Sequence, residues 1–330
     1  MGVDTQAVTR LLEAQDGVVS RRQLRSLDTD DHDVARMVRQ RQWVAVHPGV
    51  YVSHTGPPTA SQREWAAVLL HAPAALTGYS ALRRYGVRTG RDHTSRTTPD
   101  EVPGPARISV AVARHRRVLT RPGVEVVRMG RFATDVLDNL SPPRVRLEMV
   151  LLDLASSAAD DAAAVAVLAD GVGSHRTTAD RLLAALDLRS RLPRRAFLAA
   201  VLTDVGGGLH SVLERRYLHD VERAHGLPSA RRQVRTGATG SSTVRDVEHT
   251  DLQVVVELDG RLGHELARDR WDDLGRDVES AVSGAVTLRL GWGQVLDPCR
   301  TARAVGSVLS ARGWTGRPTR CGLGCRAGED

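Results

Sequence analysis

Apolar residues recur at helical spacing over residues 4–14, where Val8, Leu11 and Leu12 share one face, and Gly17 ends the run. Ser20-Arg21-Arg22-Gln23 has the Ser-x-x-Gln form of a capping box and opens a second short helix. Asp30 or Asp31 can cap a third, with Val34, Met37 and Val38 inward. The period then changes. Trp43-Val44-Ala45-Val46 and Val50-Tyr51-Val52 flank His47-Pro48-Gly49, a Pro-Gly turn between two β-rich runs. Three short helices and a hairpin predict a winged helix-turn-helix over residues 1–56. Arg21, Arg22 and Arg25 fall on the second helix, and Arg36, Arg39 and Arg41 on or just after the third, positions that suit phosphate and groove contacts. Asp28, Asp30, Asp31 and Asp33 cancel most of that charge locally, so a solvated helical face is the competing reading.

Residues 57–205 read as an α/β connector without a catalytic constellation. A helix is predicted over 60–71, burying Trp65, Val68 and Leu69, and a polar loop over 90–105. Strands follow at 108–112 and 124–127, with the basic turn His115-Arg116-Arg117 between them as a solvated loop. Helices follow at 144–156, 162–169, 178–186 and 195–202. Gly206-Gly207-Gly208 reads as a hinge and a domain boundary, because consecutive glycines leave the backbone free.

The third region, 206–314, opens with a helix from Ser211 to about His225, with Leu213, Tyr217, Val221 and Ala224 as its apolar stripe. Strands are predicted at 233–235, 243–248, 252–258 and 285–290. One helix, 266–283, buries Trp271, Leu274, Val278 and Val282, and another closes the region at 298–312. The order αβββαβα is the layout of a small α/β nuclease, and the whole chain reads as α+β. Residues 315–330, rich in Gly and Arg, read as a disordered tail.

Composition narrows the classes. An apolar fraction of 41% with 26% charged residues is ordinary for a globular protein, and aromatics at 3% leave the cores to Leu, Val and Ala. No apolar run approaches a membrane span, and the N-terminus lacks a charged-then-apolar signal, so a cytoplasmic protein without a membrane partner is expected. Three cysteines, all after residue 298, give no disulfide framework. Cys321-x-x-x-Cys325 lacks two further ligands for a zinc site. The net charge of +7 favours a polyanionic partner, or simply keeps the chain soluble. All 46 basic residues are Arg, so no mechanism here can use a lysine.

The chemistry centres on Val254–Leu258, an apolar run broken only by Glu257 and closed by Asp259-Gly260. A carboxylate in a buried strand is costly unless something pairs with it. Asp246 lies eleven residues earlier on the preceding strand, and a turn near His249–Asp251 lets the two carboxylates converge. Asp246 and Glu257, with waters and phosphate oxygens, suit Mg²⁺. That ion would supply a hydroxide nucleophile and stabilise charge on a phosphate, with His264 taking the proton. Asp259 shares a strand face with Glu257, yet Asp-Gly also reads as the turn that ends the strand. Glu214, three residues after Ser211, is either a further acid of the site or the partner in a capping box. Asp246 can instead pair with Arg245 or Arg235, and His264 can be structural. Arg268, Arg270 and Arg276 can hold phosphate or pair with Asp272, Asp273 and Asp277.

GVVSRRQL, VRQRQWVAVHPGVYV and LTGYSALRRYGV, spread over about residues 5–90, resemble the N-terminal domain of AbiEi-type antitoxins from type IV toxin–antitoxin systems. That resemblance implies an autoregulating DNA-binding module with DNA as its partner; a cognate toxin or its operator is a further candidate partner, but the resemblance does not imply that this chain neutralises a toxin. SVLERRY, VRDV, VVVELDGRLGH, RWDDLGRD and RLGWGQVL, over about residues 208–314, resemble the restriction-endonuclease-like domains grouped with the very-short-patch mismatch repair endonuclease. This second resemblance implies a PD-(D/E)xK core, in which Glu214 matches the helix acid, Asp246 and Glu257 the strand acids, and His264 an active-site histidine. The lysine expected two residues after the second acid is replaced by Asp259. Two functions follow: a Mg²⁺-dependent endonuclease joined to a DNA-binding module, or a non-enzymatic regulator or antitoxin with an inactive nuclease-like domain. The retained acids favour the first, and the absent lysine favours the second.

Overall fold

The computed structural model describes residues 5–89, 107–207, 211–236, 243–259 and 284–328. It is a mixed α+β fold in two compact units, Met1–Asp153 and Leu154–Asp330. The first unit opens with α1 (Thr5–Ala14), β1 (Val18–Ser20), α2 (Arg21–Arg25), α3 (Asp31–Arg39), β2 (Val44–His47) and β3 (Val50–Val52). Ser20 forms the capping box of α2: its hydroxyl accepts the Gln23 N–H, and Gln23 Oε1 accepts the Ser20 N–H at 3.0 Å. Asp30 caps α3, accepting the Asp33 N–H at 2.8 Å. β3 pairs antiparallel with both β1 and β2, giving the sheet order β1-β3-β2, and Gly49 makes the turn at φ +73°. This is a winged helix. Its core is Val8, Val19, Leu24, Val34, Trp43 and Tyr51, with Met37 packed alongside. Val38 is exposed, so α3 buries a narrower face than its spacing predicts.

Behind the wing, α4 (Ala60–Leu70) lays Trp65 and Ala66 on Val18, Val50 and Val52. α4 also packs on a second sheet, built from β4 (Ala75–Leu76), β5 (Ile108–Ala113), β6 (Val124–Met129), β7 (Val136–Leu137) and β8 (Arg144–Val145) in the order β6-β5-β4-β8-β7. α5 (Gly78–Tyr85) follows β4, and α6 (Phe132–Asp135) precedes β7. Glu64, buried within α4, is held by Arg83 and Arg84 of α5. β5 and β6 run parallel, so the segment between them is a crossover rather than a hairpin turn. Arg116 in that crossover donates to the carbonyls of His71, Ala72 and Pro73, at 2.6, 3.1 and 2.5 Å. The basic turn expected to be solvated is therefore anchored by its central arginine.

α7 (Leu147–Ser156) spans the division between the units. The second unit continues with α8 (Asp161–Gly173), α9 (Ala179–Asp187) and α10 (Arg195–Gly207). α10 runs through Gly206 and Gly207, where a hinge is expected, because helical hydrogen bonding offsets the conformational cost of the two glycines. The division falls at Asp153 and Leu154, within the expected connector. α11 (Ser211–Arg216) passes directly into a π-helix, Tyr217–Arg223. Next come β9 (Arg231–Thr236), β10 (Thr243–His249) and β11 (Val254–Asp259) in an antiparallel meander, with β12 (Val286–Gly291) parallel to β11. α12 (Trp292–Val295) and α13 (Pro298–Ala311) close the unit. The helix expected over 266–283 and the loop over 90–105 lie outside the described residues.

The C-terminal segment is not a free tail. The Thr319 N–H donates to the His225 carbonyl at 2.8 Å, and Cys325 and Ala327 are 4% and 3% exposed. Composition alone misleads here, because Gly and Arg content does not register two small buried residues and one backbone hydrogen bond.

The winged-helix core generates a direct test. Leu24 is fully buried, so Leu24→Ala should cost about 2–5 kcal/mol, and Ser20→Ala about 1 kcal/mol through loss of the cap. Hydrogen exchange at the β1 and β3 amides reads both, and unchanged protection in Leu24→Ala would refute this account of the core.

Candidate functional site

β11 is an interior strand of the order β12-β11-β10-β9. Val254, Val255, Val256 and Leu258 are buried, while Glu257 and Asp259 are half-buried, as alternation predicts for two acids on one face. The β10–β11 register pairs Val247 with Val256. That register ends at Val247, and Asp246 is the next residue of β10. On the other side, Glu257 lies in parallel register with Arg289 of β12, whose Nε donates to Glu257 Oε2 at 3.1 Å. Arg289 is absent from the residues that the sequence alone singles out. Its signal is a lone arginine in the alternating run Val286-Thr287-Leu288-Arg289-Leu290, but a partner thirty-two positions away is invisible to local spacing. Asp259 stands beside Gly291 at the end of the β11–β12 ladder.

Glu214 is half-buried on α11, which packs against β11, and Ser211 is the first residue of that helix rather than the residue before it. A second helix acid, absent from the expected set, is more deeply placed. Glu222 on the π-helix is 5% exposed, and its Oε2 accepts from Arg232 Nη2 of β9 at 2.6 Å. Burial raises the Glu222 carboxyl above its ordinary range while Arg232 pulls it down. Tyr217, fully buried, is pushed well up by the same desolvation. His264, Arg268, Arg270 and Arg276 lie outside the described residues. The structure thus pairs Glu257 with Arg289 across β11 and β12, puts Asp259 on the Glu257 face of β11, and puts Asp246 on the neighbouring strand β10.

On the winged helix, the acids divide the arginines. Arg21 donates to the Tyr51 hydroxyl at 2.7 Å and lies 3.6 Å from Asp31, Arg25 pairs with Asp31 at 2.6 Å, and Arg36 pairs with Asp33 at 2.8 Å. Arg22, Arg39 and Arg41 are exposed and form no ion pair among the described residues. Arg41 sits in left-handed backbone at φ +54°, immediately after the last turn of α3. These three are the charges left for a polyanion.

Comparison with known proteins adds little to this geometry. No protein-family profile matches the chain, and no curated protein matches it. Among solved structures, the chain is similar to the RV2827C protein from Mycobacterium tuberculosis, at 20% identity and a TM-score of 0.36, over 62% of this chain and 76% of that one. A likeness of that size carries no argument about fold or function.

His249, which ends β10, supplies a pH test. It is 4% exposed, and burial, with Arg232 adding to it, holds its imidazole below the ordinary value. The unfolded chain takes up this proton near pH ~6.5, before the folded chain does. Stability is therefore fully present above that pH and is lost as pH falls through the window below it, by at most ~1.4 kcal/mol per pH unit. His47 and His71 are shifted the same way by burial, but they belong to the first unit. We expect His249→Gln to flatten the dependence of the second unit's urea midpoint between about pH 6.5 and pH 5. An unaltered slope would assign the effect elsewhere.

Proposed function

We propose that this chain is a DNA-binding protein whose C-terminal sheet hydrolyses phosphodiester bonds with Mg²⁺. The observation that supports the reading is Glu257 and Asp259 on one face of the interior strand β11, with Asp246 on the adjacent interior strand β10. Hard oxygen ligands at such positions fit a small divalent cation that keeps several waters. Glu257 and Asp246 would hold the ion, which when bound would supply Lewis acidity toward water and charge stabilisation on the phosphoryl oxygens. Arg289 neutralises part of the acid cluster through its pairing with Glu257. Arginine stays protonated, so Arg289 orients and stabilises but takes no proton. His264 is assigned the proton from the attacking water.

The second reading, a non-enzymatic regulator or antitoxin, is favoured by a specific observation: Glu257 is already satisfied by Arg289, and an acid stands at position 259. A supercoiled-plasmid nicking assay separates the two. Nicking should require Mg²⁺, vanish in Glu257→Ala and fall by roughly 100-fold in His264→Ala. Equal behaviour of wild type and Glu257→Ala at high protein concentration leaves the regulator reading.

DNA engagement has its own measure. Replacing Arg22, Arg39 and Arg41 together with Ala should weaken binding and reduce the slope of log affinity against log salt by about 0.9 for each phosphate contact removed. Arg36→Ala should change it little, because Asp33 already holds that guanidinium. If the two variants behaved alike, this division of the arginines would be wrong.

A further inference from the structure

Away from the sheet acids, the second unit gathers all three cysteines around one histidine. Cys299 is the second residue of α13, and Cys321 and Cys325 lie in the C-terminal segment. His225 follows the π-helix. The candidate donor atoms of these four residues all lie within 4.8 Å of one another. Cys299 Sγ and Cys321 Sγ are 3.7 Å apart. That separation is far too long for a disulfide, at about 2.05 Å. It is the edge of a tetrahedron whose centre lies about 2.3 Å from each sulfur, the ordinary zinc–thiolate distance.

The histidine is prepared for the same role. Its ring is fully buried, and Nδ1 lies 3.1 Å from the Val221 carbonyl, so Nδ1–H donates and the lone pair is left on Nε2. Nε2 is buried and makes no hydrogen bond. A buried ring nitrogen without a partner is costly, and fixing one imidazole nitrogen on a backbone carbonyl is how metal-binding histidines are oriented. At the third sulfur, the Ala327 N–H approaches Cys325 Sγ at 3.4 Å, which favours the thiolate.

The chain path also serves the cluster. Pro318 packs directly over Gly306 of α13, where an added methyl would overlap its ring. Gly226, at φ +63°, lets Thr319 pass within 3.0 Å of where a Cβ would stand. Three separate parts of the chain are brought to one point.

We infer that His225, Cys299, Cys321 and Cys325 bind a single zinc ion. Three thiolates and an imidazole form a soft donor set that selects zinc over the hard Mg²⁺ of the sheet acids. Four protein ligands leave no open position, so this ion is structural. It pins the C-terminal segment to the end of the π-helix and to the start of α13. Zinc at this cluster does not depend on the nuclease reading, and its readout is metal content rather than cleavage.

The test uses the full chain purified under reducing conditions. Elemental analysis should find one zinc per chain, and replacement with Co²⁺ should give the intense visible bands and thiolate charge transfer of tetrahedral sulfur-rich coordination. Cys321→Ser changes an exposed residue, and it should lose stoichiometric zinc, as should Cys325→Ser and His225→Gln. Wild-type protein that takes up neither zinc nor cobalt, or gives the weak spectrum of octahedral cobalt, would overturn the site. So would a Cys299–Cys321 disulfide in the native protein with no metal uptake after reduction. The cobalt titration of wild type needs no variant to fold, so it decides the matter alone.

Discussion

A carboxylate taken out of water needs a cation, and in a chain without lysine that cation is arginine. The same solution recurs through both units. Glu64 of α4 is held by Arg83 and Arg84, Asp135 by Arg131, Glu222 by Arg232 and Glu257 by Arg289. Asp161 at the start of α8 receives both Arg194 and Arg216. Most of these pairs join two elements. Desolvating both charges consumes most of the Coulombic gain, so such pairs add little net stability, yet losing one partner leaves the other stranded. Their effect is to fix which elements lie side by side. The planar guanidinium, always protonated, makes that choice directional.

Glu257 shows how this constraint bears on function. Its pairing with Arg289 meets the desolvation cost that first singles the residue out, and it does so across a parallel strand pair, where the register leaves little freedom. The pairing does not exclude a metal. A carboxylate offers two oxygens with about four acceptor positions, and Arg289 Nε uses Oε2. A cation on the other side would find Glu257 already oriented. Asp259 faces the opposite problem: a second acid on the same face raises the negative potential, which favours a divalent ion and disfavours an empty cluster. Arg289, paired with Glu257, lowers that penalty.

The winged helix is legible in the sequence because its signals are local. Ser20 with Gln23, Asp30 with Asp33, and Pro48-Gly49 each act within four residues. β11 is legible because three consecutive valines leading into one acid suit a buried strand and little else. What escapes is non-local. β4, β7 and β8 have two residues each, too short for any period to show. The crossover between the parallel strands β5 and β6 is anchored by Arg116 on carbonyls more than forty residues away. Arg289 answers Glu257 from another strand, and His225 and Cys299 complete a cluster whose only readable trace is Cys321 and Cys325. Composition of the last sixteen residues points to disorder because it weighs Gly and Arg, whereas order there rests on contacts made by Pro318, Thr319 and Cys325.

The π-helix between Tyr217 and Arg223 serves both the sheet and the cysteine cluster. Leu213, Tyr217 and Val221 keep a four-residue spacing and remain fully buried, as an α-helical stripe would. An i→i+5 helix puts more residues into each turn, which widens the face that can turn inward. Glu222, next to Val221, is buried as well and reaches Arg232, so the wider turn brings an acid to the edge of the sheet. The same turn leaves the Val221 carbonyl available to the His225 ring. A regular α-helix would commit that carbonyl to the backbone N–H of residue 225. One irregularity of seven residues therefore supplies both the Glu222–Arg232 tie to β9 and the tautomer that leaves His225 Nε2 without a proton.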